Sequence, residues 1–143
     1  HARGCSWGWL LSVVAVEPEQ IDDFWEVARQ HIARANGKIE SGFSVDHLKQ
    51  KIVDGRNQLW WINDGQAAAI TAIINLPLFR LVRVTYLGGG YMHEWMDEFA
   101  QTIERFGRDN DCKYFEASGR KGWARFLNSY GADLEYVVLR KKL

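Results

Sequence analysis

The stretch from Leu81 to Arg105 constrains this chain most, because a strand-like run, three consecutive glycines and an amphipathic helix follow one another without a gap. Leu81-Val82-Arg83-Val84-Thr85-Tyr86-Leu87 alternates and is rich in β-branched residues, as a half-buried strand is. Gly88, Gly89 and Gly90 come at once, and Tyr91 to Phe106 then brings Met92, Trp95, Met96, Phe99, Ile103 and Phe106 to one helical face. The glycines are expected to break the strand and leave bare N–H groups at the start of the helix. There the positive end of the helix dipole suits a phosphate. The other reading of a glycine triplet is a bulge or tight turn that lets the strand diverge.

The flanking elements follow from similar signals. Val13–Val16 reads as a first strand. Pro18, with Glu19, Asp22 and Asp23 in the first turn, opens a helix whose apolar stripe is Ile21, Phe24, Trp25, Ala28, Ile32 and Ala35, and Asn36-Gly37 ends it. Ser44 caps a second helix carrying Val45, Leu48 and Ile52, closed by Asp54-Gly55. Asn57–Ile62 and Gln66–Leu76 flank the hairpin signal Asn63-Asp64-Gly65, and Pro77 separates them from the Leu81 strand. Beyond the long helix, Lys113–Ala117 reads as a fifth strand, Gly119–Tyr130 as a short helix broken by Gly131, and Leu134–Leu139 as a closing strand. This order predicts an α/β (α+β) fold with a mixed, mostly antiparallel central sheet and helices on both faces. At 143 residues with no linker or repeat, the chain reads as a single domain, 1–143. Residues 1–11 read as an N-terminal extension or a processed end.

Composition excludes several classes. Formal net charge is zero, which argues against nucleic acid as a partner, since its readers carry a basic excess. The apolar run Trp9–Val16 is stopped by Glu17-Pro18-Glu19, too short for a membrane span. The two cysteines, Cys5 and Cys112, lack metal-ligand spacing and read as reduced thiols of a cytoplasmic protein, and no metal is expected. His31 and His47 are too isolated to hold one. Seven tryptophans are many for this length, and such residues fill cores or oligomer contacts. Trp7 and Trp9 make an apolar arm suited to self-association.

The element order, with the strand–glycine–helix junction at its centre, resembles the GNAT superfamily of N-acetyltransferases from Val13 to Leu143. The ending Gly-Arg-Lys-Gly-Trp-Ala-Arg-Phe-Leu, from Gly119 to Leu127, is similar to the small GNAT-like proteins of tailed phages. The resemblance implies that acetyl-CoA binds in a splay between the fourth and fifth strands. Its pyrophosphate would rest on the amides of Gly88, Gly89, Gly90, Tyr91 and Met92, and its pantetheine arm along Val84, Thr85, Tyr86 and Leu87. It implies an amine acceptor of unknown identity, a base and an acid. The family's phosphate loop spreads its glycines more widely than Leu87-Gly88-Gly89-Gly90-Tyr91-Met92-His93-Glu94, and early Glu94 sets an anion near the helix start. The family's acid, a tyrosine four residues before the glycine that ends the last helix, falls here on Leu127, which leaves Tyr130 or Tyr136 as a displaced substitute. The alternative implied by these departures is a catalytically inactive phage protein with a virion or assembly role, in virion or host cytoplasm.

Among the residues themselves, Glu116 is the candidate base. It lies on the fifth strand between Phe115 and Ala117, where a half-buried carboxylate can take a proton near neutrality. Its plainer reading is a solvent-facing or Arg-paired glutamate. Tyr130 is the candidate acid, with a core or surface tyrosine as its plainer reading. His93 could contact phosphate, and Asn75 sits at the strand break. Ser/His/Asp series, P-loop lysine and paired-carboxylate motifs are missing from the sequence.

Overall fold

A computed structural model describes residues 12–37, 40–119, 124 and 127–143. Five strands and three helices alternate as β1 (Val13–Val16), α1 (Ile21–Asn36), α2 (Val45–Val53), β2 (Asn57–Ile62), β3 (Ala67–Asn75), β4 (Arg80–Gly89), α3 (Met92–Asp109) and β5 (Tyr114–Ala117). The sheet order is β1-β2-β3-β4-β5. The first four strands pair antiparallel and β5 runs parallel to β4, so the mixed, mostly antiparallel sheet expected from the sequence is present.

Local chemistry accounts for the connections. Pro18–Gln20 forms a 3-10 turn that feeds α1. Ser44 caps α2 through a reciprocal pair, its Oγ accepting from the His47 N–H at 3.2 Å and His47 Nδ1 accepting from the Ser44 N–H at 3.0 Å. Asn63, Asp64 and Gly65 all take positive φ, which two asparagine-type residues and a glycine tolerate, and they turn β2 into β3.

Alternation along the strands sorts side chains to two faces. Leu59, Ala68 and Ile70 meet Trp25, Ala28, Ile32, Leu48 and Ile52 of α1 and α2. Trp60, Ile62, Ala67, Ala69, Val82 and Val84 meet Trp95, Met96, Phe99 and Ile103 of α3. Trp25, Trp60 and Trp95 are therefore core residues, as the aromatic content suggested. Inside the second layer Trp60 Nε1 donates to Thr71 Oγ1 at 2.8 Å, and Thr71 donates on to Gln58 Oε1 at 2.8 Å, so these polar groups are satisfied. Glu98 of α3 ties that helix to β1, its Oε2 accepting from the backbone N–H of Ser12 at 2.7 Å and of Val13 at 3.0 Å. No helix among the described residues is long and apolar enough to cross a membrane.

Three expectations need correction. The glycines do not end β4: Gly88 pairs with Ala68 and Gly89 with Ala67, so the strand runs two residues further than expected. The physical reason is close approach. A Cβ on Gly88 would run into the His31 carbonyl of α1, and one on Gly89, at φ 134°, into the backbone of Ala67. Second, α3 begins at Met92, because Tyr91 takes a left-handed φ of 58° and stands outside the helix. Third, Leu134–Leu139 does not form a closing strand; residues 132–143 have no regular structure, and Leu134, Tyr136, Val137, Val138 and Leu139 are exposed. A strand-like pattern becomes a strand only where a neighbour supplies hydrogen bonds, and this segment is instead held by Arg140 donating to the Glu40 carbonyl. Ala124, Leu127 and Asn128 are helical and residues 129–131 form a turn, whereas the rest of the short helix expected over Gly119–Tyr130 is largely outside the described residues, as are Cys5, Trp7 and Trp9.

The contact between α1 and β4 yields a stability prediction. Gly88→Ala should lower the free energy of unfolding by about 1–3 kcal/mol, the usual cost of forcing a methyl group into a packed contact. Urea titration checks this as a lowered midpoint with an unchanged slope.

Candidate functional site

The site begins with an irregularity in β4. Ile70 pairs with Tyr86 and Thr71 with Val84, which leaves Thr85 without a partner on β3 and makes it the extra residue of a β-bulge. Its Oγ1 donates to the Ile70 carbonyl at 3.1 Å and fastens the bulge. The extra residue reverses the alternation: Val84 and Leu87 both face α3, while Tyr86 turns to the α1 side.

β5 leaves β4 at the same place. Their register runs from Leu81 with Tyr114 to Val84 with Ala117, and the last bond between them is the Ser118 N–H donating to the Val84 carbonyl at 3.2 Å. β4 continues to Gly89 without β5 beside it. A splay opens there, and it holds a cavity of ≈ 40 Å³ walled by Val84, Leu87, Met96, Phe99, Phe115 and Leu127. Gly90 N–H donates to the Gln66 carbonyl at 3.1 Å. Across that trans peptide the Gly89 carbonyl points away from β3, toward the open edge, and Leu87 lies beyond the last residue of β4 that β5 pairs.

Where β4 ends, α3 starts without a side-chain cap. The Glu94 N–H donates back to the Tyr91 carbonyl at 2.9 Å, so the N–H groups of Met92 and His93 are the donors that helix geometry leaves over. The Glu94 carboxylate is turned to the hairpin, accepting from Asn63 Nδ2 at 3.1 Å. Trp95 Nε1 donates to the Gly90 carbonyl at 2.8 Å and holds the corner against the helix. Of the residues expected to line a cofactor, Thr85, Tyr86 and Leu87 wall the splay cavity. Gly88, Gly89, Gly90, Tyr91 and Met92 carry the chain from the strand edge to the helix start.

A second cavity, of ≈ 270 Å³, lies on the opposite face between α2 and the sheet. Thr85, Tyr86 and Ser118 border both cavities, so the two meet at the bulge. Phe43, Lys51, Asn57 and Arg83 give the second its aromatic and polar walls. Pairing alone could not reveal this cavity from the sequence, since its walls come from α2, β2, β3 and β4.

The two candidate proton carriers are both engaged. Glu116 stands opposite Arg83 in the β4–β5 register, and its Oε1 takes Arg83 Nε at 2.6 Å and Nη2 at 2.5 Å. Tyr130 donates its hydroxyl to Asp97 Oδ1 of α3 at 2.6 Å. That hydrogen bond, then burial, then the negative charge of Asp97 push the Tyr130 phenol up to about 12. His93 opens α3, and Asn75 Oδ1 accepts from Arg80 Nε at 2.8 Å at the far end of the sheet. His31 is structural: its Nε2 donates to the Gly65 carbonyl at 2.8 Å, and its Nδ1 is buried without a partner among the described residues. Cys112 is a free thiol pushed up chiefly by burial. No metal-binding cluster occurs among the described residues.

Comparison with known proteins agrees with this geometry at the level of fold. No protein-family model and no curated protein matches the sequence. Among solved structures, the chain is similar to an aminoglycoside acetyltransferase from an uncultured soil metagenomic sample, with TM-score 0.64, 11% identity and coverage of 92% of this chain and 95% of that one. It is similar to the ribosomal-protein-alanine N-acetyltransferase of Brucella melitensis biovar Abortus 2308, with TM-score 0.63, 8% identity and coverage of 93% and 100%. A third is a predicted acetyltransferase of Clostridium acetobutylicum solved with acetyl-CoA, with TM-score 0.62, 12% identity and coverage of 91% and 94%. The chain has the fold of these acetyltransferases over nearly its whole length.

The Tyr130–Asp97 bond is open to titration. Because the folded phenol lies above its usual value of about 10, the bond stabilises fully below that pH and its contribution is lost as the pH rises through about 12. In a tyrosinate absorbance titration, one phenol should ionise near 12, and Asp97→Asn should lower that step.

Proposed function

We propose that this protein is an N-acetyltransferase that moves an acetyl group from acetyl-CoA to an amine. The observation that carries the reading is the splay: β4 keeps its unpaired edge at Leu87 and Gly89 exactly where an apolar cavity and an uncapped helix start converge. These residues fit such a group by their chemistry. The edge of Leu87 and Gly89 would pair with the amides of an extended pantetheine arm, the cavity would take its apolar segments, and the Gly89, Met92 and His93 N–H groups would take phosphate oxygens. Acetyl-CoA would supply an activated acyl carbonyl in that cleft.

The chain's own residues would do the rest. The acceptor enters from the second cavity, and its nitrogen reaches the splay past Thr85 and Ser118, where the two cavities meet. Acyl transfer forms a C–N bond as the C–S bond breaks; the amine gives up one proton, and CoA departs as a thiolate that takes its proton from water. In this reading Glu116 receives the amine proton once the acceptor loosens Arg83 from one of its lone pairs. Tyr130 holds its proton more tightly than an ordinary thiol does, so its part is a hydrogen bond to the departing sulfur rather than outright transfer. The acceptors named for the similar structures, an aminoglycoside and a ribosomal protein's alanine, differ too much to carry one over.

A second reading, a catalytically silent phage protein with a virion or assembly role, draws on the same two side chains. Arg83 and Asp97 occupy the groups that would move protons. Calorimetry separates the two readings. Acetyl-CoA is expected to bind, and Ala117→Trp, which fills the cleft mouth, is expected to weaken it at least about tenfold with near-UV circular dichroism unchanged. Absence of binding by the unsubstituted protein at millimolar acetyl-CoA removes the transferase reading and leaves the second.

A further inference from the structure

One polar side chain of the second cavity has no protein partner among the described residues and faces the cavity. Asn57, the first residue of β2, is 6% exposed, yet its side-chain amide has no hydrogen-bond partner among the described residues. It lies in a wall shared with Leu48, Ala72 and Ile74, and its amide reaches the solvent-accessible space of the cavity. A side chain so placed is explained if a ligand completes it.

Charge indicates which ligand. Arg83 is held by Glu116. Lys51 lines the same cavity, its ammonium 4.7 Å from the centre of the Phe43 ring, and no carboxylate lies within ion-pair distance of it among the described residues. Among the described residues, Lys51 is therefore a cation of these walls not balanced by a neighbouring anion, beside an amide able to donate two hydrogen bonds. An anionic oxygen group suits both. A doubly charged phosphate would be costly against the apolar wall of Leu48, Ala72 and Ile74, so a carboxylate is the better match.

We propose that the second cavity binds a small amine that also carries a carboxylate, with Lys51 and Asn57 holding the carboxylate and setting specificity against polycationic amines. The inference rests on the acetyltransferase reading for its account of why an amine enters there. The binding site itself stands on Asn57 and Lys51. A polyamine would meet Lys51 as a like charge and would leave Asn57 as it is.

Protein-observed NMR tests this on the full chain, with L-phenylalanine, 6-aminohexanoate, their two carboxamides and spermidine as probes. At least one carboxylate is expected to shift the Asn57 side-chain amide signals and to bind about tenfold more tightly than its carboxamide, as a charge-assisted contact should. Lys51→Met and Asn57→Asp are each expected to abolish that difference, with dispersed spectra showing that the variants fold. Equal binding of acids and amides, tighter binding of spermidine, a preference that survives both substitutions, or no binding by any probe overturns the proposal. Acetyl-CoA calorimetry on the same samples keeps the two readings apart. Retained acetyl-CoA binding without a carboxylate preference sinks only the acceptor assignment, whereas lost acetyl-CoA binding sinks the transferase reading and leaves the carboxylate site to its own result.

Discussion

β4 has two neighbours and treats them differently. Toward β3 it stays hydrogen-bonded from Arg80 to Gly89, absorbing one extra residue at Thr85, whereas toward β5 the pairing stops at Val84. A strand continuous on one side and free on the other is a rigid edge with its backbone groups unspent. Both cavities and the start of α3 are arranged around that half-free strand.

Rigidity there comes from unusually close packing. α1 lies so near β4 that Gly88 leaves room for the His31 carbonyl and nothing more. Ala67, Ala68 and Ala69 on the neighbouring strand let the layers of helices on the two faces come close to the sheet. Large side chains of the helices then fill the core of each layer: Trp25, Ile32 and Leu48 on one side, Trp95, Phe99 and Ile103 on the other. Small residues in the middle strands with large ones on the helices give a sheet that resists shear, which a cleft made of backbone requires.

Polar contacts at the rim serve position as much as chemistry. Glu98 holds the first residues of β1 to α3, Asn63 ties Glu94 to the hairpin, and Trp95 pins Gly90. Arg83 and Asp97 hold Glu116 and Tyr130 in the free protein. Asn57 and Lys51 differ from all of these, since neither finds a polar partner within the described residues although both face one cavity.

Much of the architecture was legible in the chain. Alternation marked the strands, the stripes of α1 and α3 marked their buried faces, Ser44 marked a cap, and Asn63-Asp64-Gly65 marked a hairpin, because each signal is local and the backbone obeys it locally. The glycine triplet read as a strand break or a tight turn, and the close approach it serves was not legible: His31 is 57 positions away from Gly88 in the chain, and only packing brings its carbonyl there. The Leu134–Leu139 pattern misled for the complementary reason, since a strand needs a neighbour's edge as well as its own alternation. The bulge at Thr85, the choice of Arg83 as the arginine that meets Glu116 and the meeting of α2 with β2 around Asn57 were decided by tertiary structure alone. Each depends on which backbone groups of distant segments meet, and no short-range pattern of side chains records that.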